Sequence, residues 1–479
     1  MKRRPSAPKT SGAPAAPSVI VLAAGIGSRM RSARPKVLHR VGGRTLLDAV
    51  LTAAEGVQPD RVVVVIGSGR EEVARSLEGR AVTLAVQDPP LGTGDAARRG
   101  LEALEPRDGA GEILILSGDT PLLRPETLRD LLERRRRGSL DLAFLSFTPP
   151  EPGDFGRVVR DPRGRVRRIV ESAVASPRQL RIGEVNAGVY CFAAGALAKA
   201  LPRIRRNPAK GEFYLTDAIE ILAAAKGRVD AVSAPDWREA WGVNTRRDLA
   251  AAEEIERRRG VERALDAGVT VVDPATVRIG PGVVLEPDVV IHPFVSLEGA
   301  TVLEEGSEVL PFTRLVDTRV AAGAAVGPHS ELEGARIGKR ARVGPFSRIR
   351  PGSEIEEDVR VGNFVETKNT ILRRGVKALH LSYLGDAEIG ADANIGAGVI
   401  TCNYDGENKH RTSIGEKAFV GSDSQLVAPV SVGKGAYVGS GTTVTEDVPD
   451  GALALSRAPQ TNKEGWVEAR RRAKRKENG

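Results

Sequence analysis

Through about residue 245 the chain alternates short apolar runs with amphipathic stretches. Residues 19–22, 62–66, 82–86 and 113–116 read as strands, and 46–55, 71–77, 95–104 and 125–134 as helices. β-branched runs separated by helical stretches are the pattern of strands buried on both faces, so this part predicts an α/β domain with a parallel sheet covered by helices. Residues 142–147, 166–170 and 185–192 predict further strands of the same domain, in a less regular half. Residues 245–267 are rich in Ala, Glu and Arg and lack proline, which predicts a connecting helix.

Beyond Val269 the period changes. Ile279, Leu285, Ile291, Leu297, Leu303, Val309 and Leu315 follow one another at steps of six. Ile337, Val343, Ile349, Ile355 and Val361 form a second train, and Ile414, Val420, Leu426, Val432, Val438 and Val444 a third. Six fits neither a helix nor an alternating strand. It fits a coil of three short strands, each turning one aliphatic side chain inward, with small residues such as Gly280, Gly338 and Gly415 at the corners. The expectation is a parallel β-helix. Two stretches break the trains, 368–386 and 402–413, and both are expected to project as loops carrying His380, Tyr383, Asn403, Tyr404 and Lys409.

Composition sharpens this picture. Only 4% of the 479 residues are aromatic, as a thin prism stacked with Val, Ile and Leu requires. The net charge of +9 resides mostly in the tails. Lys2, Arg3, Arg4 and Lys9 stand without acids in residues 1–17, and residues 466–479 carry six bases against Glu468 and Glu477. The body is nearly neutral, so a nucleic-acid-binding fold is not expected. Cys191 and Cys402 lie far apart, the five histidines make no HxH or HExxH pair, and no apolar run reaches the roughly 18 residues of a membrane span, so a cytoplasmic setting is expected. The expected division is a disordered basic tail (1–17), the α/β domain (18–245), a linker helix (246–268), the repeat domain (269–457) and a basic C-terminal tail (458–479).

The candidate chemistry begins after the first strand. LAAGIGSRM, residues 22–30, is a glycine-rich strand-to-helix turn whose N–H groups are suited to phosphates, and Arg29 with Lys36 of RPKVLH adds two cations. GxGSRM with PK a few residues later resembles the sugar-nucleotide pyrophosphorylases. With the C-terminal repeats, most of the chain resembles the bifunctional bacterial N-acetylglucosamine-1-phosphate uridyltransferase/glucosamine-1-phosphate acetyltransferase family. The resemblance implies a Rossmann-like nucleotidyltransferase domain followed by a left-handed parallel β-helix. It implies UTP and sugar-nucleotide contacts from Leu22, Ala23, Ala24, Gly25, Lys36, Gln87, Gly92, Thr93, Ser117, Gly118, Asp119, Gly156, Glu171, Asn186 and Asn244, with Arg29 and Lys36 catalytic. Asp119 and the amide oxygen of Asn244 are the implied Mg²⁺ ligands, oxygen donors of the kind that ion prefers. By their residue types alone, Asp119 is also readable as a loop cap and Asn244 as a cap of the linker helix, readings that are each credible separately but jointly explain little. Two departures from the family pattern stand out: IVESAVAS lacks the usual charged residues after Glu171, and Ser117 replaces a common aromatic.

For the repeat domain the resemblance implies that His380 removes a proton from the amine of glucosamine 1-phosphate as it attacks acetyl-CoA, with Glu366 orienting the ring. Arg350, Lys368, Tyr383 and Asn394 are the implied glucosamine-1-phosphate contacts, and Ala397, Asn403, Tyr404, Ser422, Ser440 and Arg457 the implied acetyl-CoA contacts. It further implies a homotrimer, with three β-helices side by side and the acyl site between neighbours.

Overall fold

The computed structural model describes residues 15–25, 27–67, 70–104, 111–208, 210–456 and 458–477. They form two compact units that divide at Glu256/Arg257. Residues 1–14 of the N-terminal tail and Arg457 lie outside the described residues.

The first unit is built on one nine-stranded sheet. β1 (Ser18–Ala23) lies at its middle, parallel to β2 (Arg61–Ile66) on one side and β4 (Glu112–Ser117) on the other, and β3 (Thr83–Val86) extends β2. The crossovers are α1 (Leu46–Glu55), α2 (Arg70–Ser76) and α3 (Thr93–Ala103), and α4 (Pro125–Gly138) leads on to β5 (Leu142–Phe147). Two apolar clusters lie against the sheet, one with Val19 and Val21, the other with Ile20, the alternation that a strand covered on both faces must show.

In the less regular second half the strands no longer all run parallel. β6 (Arg157–Arg160) and β7 (Val166–Val170) form an antiparallel hairpin, and β8 (Val185–Ala193) returns antiparallel to both β4 and β5. A parallel return needs a long crossover, and no long helix lies between β5 and β8 to supply one. α5 (Ala194–Ala200) and α6 (Asp217–Ala224) follow, and β9 (Val229–Ser233) closes the sheet parallel to β5. α7 (Arg246–Asp266) then leads into the second unit.

The second unit is a left-handed parallel β-helix of three sheets with eleven, ten and nine strands. The inward train is more continuous than the hydropathy pattern suggests. From Leu315 it steps to Val320, Val326, Leu332 and Ile337, and from Val361 through Thr367 to Leu372, Ala378, Leu384, Ile389, Ile395 and Thr401, every one buried. Between Arg278 and Ile400, paired residues on successive coils stand eighteen apart, as Ile291 and Val309, or seventeen apart, as Leu315 and Leu332. A corner that is one residue shorter makes the difference. Residues 368–386 are therefore not a projecting insertion. They continue the coil through Ile371–Leu372, Lys377–His380 and Tyr383–Gly385. Threonine and alanine at inward positions disguise them, and Thr367 is tolerated because its hydroxyl donates to Ser353 Oγ at 3.0 Å. The second interruption does leave the prism, as a turn closed by an antiparallel bridge between Tyr404 and Lys409.

No aromatic side chain lies in the buried core of this unit among the described residues. Phe294, Phe312, His329, Phe346 and Phe364 instead stack along one outer corner. The C-terminal tail carries a helix, α8 (Trp466–Glu477), where Arg470 lies over the Trp466 ring.

Candidate functional sites

In the first unit the C-terminal ends of β1 and β4 open into a cleft of about 510 Å³, a volume suited to a nucleotide. Leu22, Ala23, Ala24, Gly25, Arg29, Lys36, Gln87, Gly92, Thr93, Ser117, Asp119 and Asn244 all line it. So do Gly27, within GxGSRM, and Pro90, Glu212 and Tyr214, none of which the sequence reading assigned a role. Gly27 sits at φ +67°, and a β-carbon there would lie 2.6 Å from Lys36 Cβ, so the glycine is what lets Lys36 fold back over the turn. A β-carbon on Gly25 meets no protein atom within 4 Å, so this stretch of backbone faces open cleft.

Charge converges at one end of the cleft. The Lys36 ammonium donates to Asp119 Oδ2 and, at 2.9 Å, to Asn244 Oδ1, which also accepts from Arg29 at 3.0 Å. Asn244 is not the helix cap. That task falls to Thr245, whose hydroxyl accepts from Asp248 N at 3.2 Å, while the Asp248 carboxylate accepts from Asn244 N and Thr245 N. The Asn244 amide is thereby left for the cleft, and its backbone is fixed.

At the other end Gln87 is buried, and its amide donates to Gly92 O at 2.9 Å and to Asp95 Oδ2 at 3.0 Å. Burial opposes ionisation of Asp95, but the hydrogen bonds from Gln87 and Arg98 outweigh it and hold the carboxyl below its ordinary range. With both Gln87 hydrogens directed at these acceptors, its side-chain oxygen is the group available to a ligand. Thr93 Oγ1 accepts from Leu215 N at 3.0 Å, which ties the start of α3 to residues 212–216.

The same segment reaches a second group of predicted residues. Thr216 donates to Glu171, a β-carbon on Gly156 would come within 3.5 Å of Glu171 Oε1, and Asn186 N donates to Gly156 O. Burial raises the Glu171 pKa, only partly countered by Thr216 and Lys210. Asn186 is oriented by Tyr190, to whose hydroxyl it donates at 2.7 Å, and by Gly188 N, from which it accepts. Gly118, the remaining predicted residue, passes so close to Leu22 O that a β-carbon would lie 3.0 Å from it.

In the second unit the predicted acetyl-site residues gather on adjoining coils. Asn363 and His380 are paired in register, and His380 Nδ1 lies 3.1 Å from Asn363 Oδ1. Two residues past the pairs Ala378/Ile395, Ile395/Val420 and Val420/Val438, the same corner position is held in turn by His380, Ala397, Ser422 and Ser440. These four therefore form one line along an edge of the prism. Asn394 pairs with Lys377 on the strand that carries His380.

Around the corner Tyr383 pairs with Glu366. Glu366 does not orient the His380 ring. Its carboxylate accepts from Arg350 at 2.9 Å, and the ring's partner is Asn363, seventeen residues before His380, the length of one coil. The Lys368 ammonium presses against that of Lys409 and lowers the Lys409 pKa, with Asp386 and Tyr383 also facing it. Two adjacent ammonium groups make a strong local demand for an anion. Asp386 accepts from Asn369 and from the buried Asn403, which anchors the projecting turn, while the Tyr404 ring stands exposed on it.

Comparison with known proteins agrees with both halves. Residues 19–152 match the MobA-like NTP transferase domain, and residues 411–446 match the hexapeptide repeat of succinyl-transferase. Among similar bacterial proteins, the bifunctional protein GlmU of Pelobacter propionicus is 44% identical over 94% of this chain and 97% of its own length. Those of Corynebacterium aurimucosum (46% identical, 95% of this chain, 94% of its own) and Sorangium cellulosum (47%, 94% and 96%) are similarly close. Identity of this degree across both units shows that the chain belongs to the bifunctional GlmU family.

Proposed function

We propose that the two sites make UDP-N-acetylglucosamine in two steps, with acetyl transfer to glucosamine 1-phosphate in the β-helix and uridylyl transfer from UTP in the α/β unit. The observation that carries this reading is that each unit holds its own cluster of cations and hydrogen-bonding groups, of the two types that the two reactions require.

In the acetyl site, Arg350, Lys368 and Lys409 receive the sugar phosphate, with Tyr383 and Asn394 around the sugar. The amine nitrogen attacks the thioester carbon, His380 Nε2 takes the amine proton, the C–S bond breaks, and the coenzyme thiolate leaves, taking that proton from the imidazolium to become the free thiol. A neutral imidazole with its proton on Nδ1, facing Asn363 Oδ1, presents Nε2 as the base. The edge from Ala397 through Ser422 to Ser440, with Asn403 and Tyr404 beside it, is the track for acetyl-CoA.

In the uridylyl site a phosphate oxygen of N-acetylglucosamine 1-phosphate attacks the α-phosphorus of UTP and pyrophosphate leaves. The residues bring two polyanions together, so neutralisation is their main task. The turn at 24–29 wraps the triphosphate, Arg29 and Lys36 offset its charge, Gln87 receives the uracil N3–H, and Gly156, Glu171 and Asn186 hold the sugar. Asp119 and Asn244 fit Mg²⁺: their oxygens already converge on one cationic point, occupied here by the Lys36 ammonium. An amide oxygen and a carboxylate are hard oxygen donors of the kind this ion takes alongside waters and substrate phosphates. When bound, the ion supplies further neutralisation of the phosphates.

The protein works in the cytoplasm as a homotrimer through its β-helix in this reading. Its support is the family resemblance and the long flat sheet faces. Among the described residues no helix is long and apolar enough to cross a membrane. Purified protein given Mg²⁺, UTP, glucosamine 1-phosphate and acetyl-CoA should release free thiol, then pyrophosphate, and accumulate UDP-N-acetylglucosamine. Thiol release without pyrophosphate release from N-acetylglucosamine 1-phosphate would refute it.

A further inference from the structure

We infer that Asn363 is a positioning residue for acetyl transfer, setting the tautomer of His380 so that Nε2 faces the substrate amine as an acceptor. This rests on the assignment of His380 as the proton acceptor. Asn363 ends the strand Arg360–Asn363, and His380 ends the strand directly beneath it in the same sheet. Side chains on such neighbours are held about 4.8 Å apart by the ladder itself, so the contact is built into the coil.

The chemistry follows from the atom that faces the ring. An amide oxygen only accepts, so Nδ1 must carry the hydrogen of the neutral imidazole. That leaves the lone pair on Nε2. Without the contact, the exposed ring is free to rotate and to divide between two tautomers, one of which directs N–H instead of a lone pair at the amine.

Charges on the surrounding elements do not supply the same restraint. Arg360 begins the neighbouring strand and Lys377 begins the strand of His380, both cations. The next strand, Asn394–Ile395, carries none, and past the corner Glu366 is engaged by Arg350. Asn363 is the side-chain acceptor that meets the ring among the described residues.

The test compares Asn363→Leu, Asn363→Asp and His380→Ala in the full-length protein, reading acetyl transfer over pH 5.5–9 with uridylyl transfer as a control for folding. Asn363→Leu should lower kcat roughly tenfold or more, within the ~10²–10⁴-fold that a general base contributes, with KM for both substrates nearly unchanged. Asn363→Asp retains an acceptor opposite Nδ1, so it should keep most of the activity. Its new negative charge should move the acidic limb of the pH profile upward by about one unit. That shift reports that position 363 faces the ring, whereas a merely structural role would not give loss of kcat in Asn363→Leu with rescue in Asn363→Asp.

The inference is overturned if Asn363→Leu keeps kcat, or if Asn363→Asp loses activity as fully as Asn363→Leu, since the amide would then be donating to the ring. His380→Ala with undiminished acetyl transfer would overturn the assignment of His380 itself. Loss in His380→Ala with an unaffected Asn363→Leu would overturn the role of Asn363 alone.

Discussion

Replacing Gly92 with alanine should disable the uridylyl site while leaving the acetyl site intact. Gly92 sits at φ 96° and ψ 176°, a conformation that is essentially closed to any residue with a β-carbon. The added methyl would stand 2.6 Å from Phe213 O, 2.9 Å from Glu212 Cβ and 3.0 Å from Phe213 N. These atoms cannot simply swing aside. Phe213 N donates to Leu91 O and Gly94 N donates to Phe213 O, so the methyl forces apart the segment with Gln87, Gly92 and Thr93 and the one with Glu212 and Tyr214. Backbone strain of about 1–3 kcal/mol and overpacking of about 1–3 kcal/mol add to roughly 2–6 kcal/mol. If only about 2 kcal/mol of this falls on the bound state, UTP binds roughly 30-fold more weakly. The assay is pyrophosphate release against UTP concentration, with thiol release from acetyl-CoA as the internal control. A UTP KM within threefold of the parent would refute the packing of residues 91–94 against 212–213 as the frame of the nucleotide cleft.

Burial raises the Glu171 pKa from its ordinary 4.5, so the ionised carboxylate costs the folded unit stability once the pH exceeds that value. Glu171→Gln should therefore be at least as stable as the parent in urea at pH 7, with the advantage shrinking as pH falls toward 4.5. It should also bind the sugar phosphate less well, and a variant less stable at pH 7 than at pH 5 relative to the parent would contradict the sign. On the outer face of the β-helix, Arg342, Arg360 and Lys377 pair in register with no ion pair to any of them among the described residues. Arg360→Glu should raise the urea midpoint of that unit by an amount corresponding to about 0.2–1 kcal/mol at low salt, and by almost nothing at 1 M salt. An unchanged midpoint at low salt would mean that these cations do not repel appreciably.

What the sequence made legible tracks how local the signal is. β1, β2 and β4 were readable from unbroken apolar runs, and the first and third trains of the β-helix from their strict period of six. The antiparallel course of β8 was hidden because it depends on how the β6–β7 hairpin returns the chain, which no local pattern encodes. Residues 368–386 were misread because the inward position passes through Thr367 and Ala378 and because two corners are one residue short. Thr401 breaks the hydropathy pattern in the same way, yet its hydroxyl accepts from Gly385 N and donates to Gly385 O, so it is fully satisfied inside. Lys36, Asp119 and Asn244 were named from motifs 83 and 208 residues apart, and the fold brings them within hydrogen-bonding range. The partner of His380 escaped notice because identifying Asn363 requires knowing that one coil at this point spans seventeen residues.

The central claim is that two chemically independent pockets sit on two units of one chain. It is tested most directly by measuring both half-reactions on His380→Ala and Asp119→Ala, with folding checked by circular dichroism. The account predicts that His380→Ala loses acetyl transfer and keeps pyrophosphate release from UTP, and that Asp119→Ala does the reverse. Folded variants that each lose both activities would contradict it.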